Sequence, residues 1–175
     1  MSYRERFSDE DWAELVRSPM IASFAITAAD PSGLIGTVQE ASAAARALSD
    51  GRREKPASLI AEVVTAYETQ EGRRLGQDAI RGILRDNDPA VAVGIAVERL
   101  SAIARLLDEY AGEEAGDFKR FLRDVAHSVA EAASEGGFLG IGGEKVSDKE
   151  RRTLADIEAA LGDGGTPFHT GHIPV

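Results

Sequence analysis

The groups in this chain best suited to metal or acid–base chemistry are three histidines and a surplus of carboxylates. His127 stands in "RDVAHSVAE", with Asp124 three residues before it and Glu131 four after. On a helix these fall on one face and could offer a mixed oxygen and nitrogen ligand set. That face lies opposite Phe121, Val125 and Val129, which makes it the solvated side. The Glu-x-x-His pairs of di-iron bundles are missing. His169 and His172 sit in "TPFHTGHIPV", where two ligands alone hold a metal poorly. A second set, Asp30, Glu40, Glu144 and Asp148, flanks two glycine-containing stretches. Carboxylates gathered at loops suit a hard divalent cation, so cation binding by these four is the alternative functional expectation.

The stretch "EGGFLGIGGEK", residues 135–145, invites a nucleotide reading and fails it. A phosphate-cradling loop needs Gly-Lys-Ser/Thr, and here Lys145 follows Glu144 and precedes Val146. The dinucleotide fingerprint needs a preceding strand and a third glycine, and Lys145 takes that place. A serine triad would need a serine beside a histidine, and of the three histidines one is on a polar face and two are in the tail. Cysteine is absent, which removes thiolate nucleophiles, thiolate zinc sites and disulfides. No catalytic constellation emerges, and the expected function is non-enzymatic with no resident cofactor.

The elements that position these groups read as helices. "SDEDWAELVRS" starts with a Ser8 cap and Asp11 at the third helical position, and Pro19 is expected to stop it. "PMIASFAITAA" then leads to the turn "DPSG". "LIGTVQEASAAARALSDG" reads as a helix closed by Gly51 in the left-handed conformation, with "GRREK" as a solvated link. Pro56 is expected to open "PASLIAEVVTAYETQ", whose Leu59, Ile60, Val63, Val64 and Tyr67 fall at helical spacing. "RRLGQDAIRGILR" follows and stops at "DND". Asp88 and Pro89 launch the long helix "AVAVGIAVERLSAIARLLDEY", expected at the centre of the fold on the stripe Val93, Val97, Leu100, Ile103 and Leu107. "FKRFLRDVAHSVAEAAS" buries Phe118, Phe121, Leu122, Val125 and Val129. A Ser147/Glu150 capping box opens the last helix, which buries Leu154, Ile157 and Leu161 and closes at Gly162. No segment alternates as a strand. The expected fold is all-α: one bundle of about seven to eight helices over residues 1–162, with an extended tail at 163–175.

Two of these corners match. "AADPSGLIGTVQE", residues 28–40, aligns with "AASEGGFLGIGGE", residues 132–144, without a gap. Gly33 meets Gly137, Gly36 meets Gly140, Glu40 meets Glu144, and Leu34–Ile35 meets Phe138–Leu139. The repeat implies two similar helix-loop-helix units whose bulky pairs face inward against the bundle. Paired units of this kind in a small acidic helical protein resemble the TerB-like family linked to tellurite resistance. Gly143, Val146, Ser147 and Glu150 in "GGEKVSDKE" fit its pattern of an acidic-glycine loop followed by Ser and Glu. Gly142 stands where that loop has aspartate, and "DPSGLIGTVQE" keeps Asp30 and Glu40 but lacks the Asp-Gly pair. The resemblance implies a stress-associated helical module.

Charge and composition set the remaining limits. An apolar fraction of 43% and a charged fraction of 29% belong to globular chains. A net charge of -10 opposes nucleic-acid phosphates and anionic lipid surfaces. No apolar run reaches the roughly 20 residues of a membrane span, and "MSYRERFSDEDW" has no signal-peptide core, so the cytoplasm is the expected location. The expected partner is another protein or a second copy of the chain. Two surfaces are candidates: Arg74, Arg81 and Arg85 with Asp78 on one helix face, and the tail with Phe168 and Ile173 as anchors across a neighbouring subunit.

Overall fold

The computed structural model describes residues 2–29, 37–54, 56–135 and 146–162. Within them lie a short 3-10 turn, Tyr3–Arg6, and seven α-helices: α1 (Asp9–Ala29), α2 (Thr37–Glu54), α3 (Leu59–Tyr67), α4 (Gln70–Leu84), α5 (Pro89–Tyr110), α6 (Glu114–Glu135) and α7 (Asp148–Leu161). The described residues contain no strand, so the all-α expectation holds. The two glycine-bearing corners and the tail, with Leu34, Ile35, Phe138, Leu139, Phe168 and Ile173, lie outside the described residues.

Local signals set most helix starts. The Ser8 hydroxyl accepts the Asp11 N–H at 3.1 Å and donates to the Asp11 carboxylate at 2.6 Å. Asp88 accepts from the N–H groups of Ala90 and Val91, both at 3.0 Å, with Pro89 in the first turn. Ser147 and Glu150 form the capping box, and Gly162 ends α7 with φ +71°. Each cap satisfies backbone donors that the first helical turn leaves unpaired.

Pro19 does not stop α1, contrary to expectation; the helix runs through it for 21 residues. Proline lacks the N–H that the Leu15 carbonyl should receive. The Ser18 hydroxyl donates to that carbonyl at 2.7 Å instead, and Ser18 is fully buried. One turn on, the Ser23 hydroxyl donates to the Pro19 carbonyl at 2.9 Å.

Gly51 does not close α2 either, and residues 51–54, read as a link, continue the helix. A Cβ at Gly51 would meet the Phe121 ring at 2.8 Å, so its glycine serves the close approach of α2 to α6. Three further boundaries shift. α3 starts at Leu59 and not Pro56, because the Ser58 hydroxyl caps Ala61 and the Leu59 N–H donates to Glu114 at 3.0 Å. α4 starts at Gln70, where Thr69 caps Gly72. α6 starts at Glu114, a full turn before Phe118.

α1 touches all six other helices and is the hub of the bundle, a place the sequence reading gave to α5. Its Leu15, Ile21, Ala22, Ala25 and Ile26 are completely buried. α5 packs on α1 more extensively than on any other helix. Its buried stripe is Ala92, Ala96, Leu100, Ile103 and Leu107, with alanines where Val93 and Val97 were expected. Small side chains on both helices let their axes approach closely. α2 packs on α6, and α7 packs on α5, α1 and α6. The expected stripes of α6 and α7 are buried as read.

The helix pairs α1–α2 and α6–α7 flank the two matched corners, but their ends do not follow the match residue for residue. α1 ends at Ala29, whereas the matched Ala133 lies inside α6; Glu40 lies within α2, whereas α7 starts four residues after Glu144.

Candidate binding pocket

The four carboxylates expected around the loops are not brought together by any described contact. Asp30 and Glu144 lie outside the described residues, and Glu40 lies in α2 with its side chain outside them. Asp148 sits in the first turn of α7, exposed and ion-paired with Arg151. The hydrogen bond and charge of Arg151 hold the Asp148 carboxyl below its usual range. Among the described residues no group of three or more histidines and carboxylates could hold a metal ion.

His127 reaches another helix. Its Nε2 lies 3.0 Å from Glu158 of α7, at the half-exposed surface. One turn earlier on α6, Arg123 donates to the Gly162 carbonyl at 3.1 Å, so the two residues clasp the last turn of α7. Two arginines of α4 pair within their own helix: Arg81 reaches Asp78 at 2.6 Å and Arg74 approaches it at 3.7 Å. A polar cleft of about 220 Å³ beside α6 holds Asp50, Asp117 and Asp124, with Arg120 bound to Asp117 at 2.8 Å.

The feature that sequence reasoning missed is an apolar pocket of about 320 Å³. α1 supplies Met20 and Phe24, α2 supplies Ala44 and Ala45, and Tyr67 and Ile80 come from α3 and α4. Val129 of α6 reaches it as well, so five helices contribute to the wall. No charged residue is among those lining it. The uninterrupted α1 is what brings Pro19, Met20, Ser23 and Phe24 onto one wall. Gly76 of α4 keeps that helix close: a Cβ there would stand 3.3 Å from both Met20 Cβ and the Tyr67 ring.

Tyr67 supplies the wall's ionisable group. Burial raises its pKa, against a smaller lowering by Arg73, so the phenol stays protonated and is a donor at neutral pH. It donates no hydrogen bond to another described residue. The Ser23 hydroxyl is engaged by the Pro19 carbonyl. The sequence shows Tyr67, Ile80 and Met20 only as separate apolar positions; their convergence depends on how α1, α3 and α4 pack together. The polar side chains among the residues lining it are Ser23, Thr27 and Tyr67. Among the described residues no helix is long and apolar enough to cross a membrane. No family model, curated protein or solved structure matches the chain.

Proposed function

We propose that the chain is a non-enzymatic interaction module of the stress-associated, TerB-like kind, acting in the cytoplasm on a protein partner or a second copy of itself. The observation that carries this reading is the exposure of large apolar side chains on either side of the α4–α5 turn. Leu84 is 46% exposed at the end of α4 and Val91 48% exposed at the start of α5. Ile80 stands one turn before Leu84 on the same helical face and is only partly covered. Large apolar side chains gathered at a surface mark contact sites more often than isolated ones do. The abundant negative charge elsewhere favours solubility and limits non-specific association.

The test pairs light scattering with a pull-down from native lysate, comparing the wild type with Leu84→Asp/Val91→Asp. The expected result is loss of the co-purifying protein, or of the dimer, with an unchanged far-UV circular dichroism spectrum. An identical partner set and mass for the folded variant would refute the reading. In the competing cation reading, Asp148 must first leave Arg151. Saturable heat on titration with calcium, manganese or zinc would favour it.

A further inference from the structure

Beyond that surface, we infer that the pocket between α1, α2 and α4 is a binding site for a small, uncharged, apolar molecule that carries one hydrogen-bond acceptor. Its volume of about 320 Å³ lies at the lower end of small-ligand sites, about 300–1,000 Å³. Interiors are close-packed, with few voids larger than a water molecule. An apolar cavity of about 150 Å³ already admits benzene, so this one has room for a bicyclic aromatic. Ala44 and Ala45 line it, and a larger apolar residue at either position would take up part of the space.

The chemistry of the wall selects the ligand. With no charged residue lining it, an ionised ligand would lose its hydration without compensation, at several kcal/mol. Most of the lining is apolar, so water inside the pocket finds few polar partners and is readily displaced. Tyr67 adds the specificity: its hydroxyl is a protonated donor with no acceptor among the described residues. A ligand that covered it without accepting its hydrogen bond would incur about 1–3 kcal/mol, so an acceptor-bearing molecule is preferred over a pure hydrocarbon. The walls belong to helices, so the site is preformed and little ordering opposes binding.

Equilibrium dialysis of the full chain against acetylnaphthalene and naphthalene tests this directly. The first carries a ketone oxygen and the second no acceptor. Acetylnaphthalene is expected to bind saturably, and Tyr67→Phe to weaken it about tenfold, the equivalent of about 1.4 kcal/mol, while naphthalene is little affected. Ala45→Leu, with Ala44→Leu as the second filling variant should the first unfold, is expected to abolish binding of both probes in a folded protein. Absence of saturable binding to the wild type would overturn the inference, as would undiminished binding to a folded filling variant. Binding that appears only after Leu34 and Ile35 are both replaced by serine would also overturn it, because the chain would then occupy its own pocket.

Discussion

Ser18 and Pro19 form a pair in which one residue repairs what the other removes. The Leu15 carbonyl has no N–H to receive at position 19, and the fully buried Ser18 hydroxyl donates to it at 2.7 Å. Ser18→Ala deletes that donor and leaves a carbonyl unpaired in the core, so the expected destabilisation is about 1–3 kcal/mol. Adding Pro19→Ala restores the backbone N–H and should return part of the loss, a coupling that a double-mutant cycle in urea reads directly. Additive effects of the two substitutions would show that the hydroxyl does not serve the proline gap. Lys119 shows a related economy: nearly buried, it donates to both carboxylate oxygens of Asp108, at 2.6 and 2.7 Å, and so ties α6 to α5.

The helices themselves divide into what neighbouring residues decide and what distant ones decide. Ser8, Asp88 with Pro89, and Ser147 with Glu150 act within a few residues of themselves, and those starts were legible in the sequence. Pro19 and Gly51 were misread because their outcomes depend on tertiary partners. Local rules predict a helix stop at each, while a buried serine hydroxyl and the Phe121 ring decide otherwise. The pocket was illegible for the same reason, since no local pattern reveals that Met20, Ala45, Tyr67 and Ile80 converge. Gly51 gives the contrast that checks this account. On propensity alone, Gly→Ala inside a helix gains about 1 kcal/mol. At Gly51 the new Cβ meets Phe121 at 2.8 Å. That ring is buried and stacked edge-on against Phe118 at 5.7 Å, so yielding to the new Cβ would disturb that contact. Overpacking costs about 1–3 kcal/mol, so Gly51→Ala should destabilise. Gly94→Ala on α5, where nothing lies within 4 Å, should stabilise. Equal shifts in the denaturation midpoints of the two variants would show that α2 and α6 do not depend on the missing side chain.

At the scale of the whole molecule, α1 organises the bundle, and long-range polar ties fasten segments far apart in sequence to it and to one another. Arg99 of α5 binds both Glu14 oxygens on α1, at 2.9 and 2.7 Å, while Arg17 holds the same carboxylate at 2.6 Å. Glu62 of α3 accepts from the Ser2 hydroxyl at 2.7 Å and from the backbone N–H groups of Tyr3 and Arg4 at 3.0 and 3.1 Å. It thereby anchors the N-terminal turn beside α3. Burial raises the Glu62 pKa, but these hydrogen bonds outweigh it and the net shift is downward. A carboxyl depressed in the folded state contributes stability above its unfolded pKa and loses it as the pH falls through the folded value. Glu62→Gln removes both the titration and one strong acceptor, so it should be less stable than the wild type at neutral pH. The difference should narrow as the solution is acidified below the ordinary carboxylate range. Because the side chain is only part-buried and solvent screens it, the effect will be modest. The chain's other carboxylates titrate over the same range, but they do so in both proteins, and the difference between the two isolates Glu62. Urea midpoints measured from neutral to acid pH supply the check: two curves that stay parallel would mean that the N-terminal clasp contributes no pH-dependent stability.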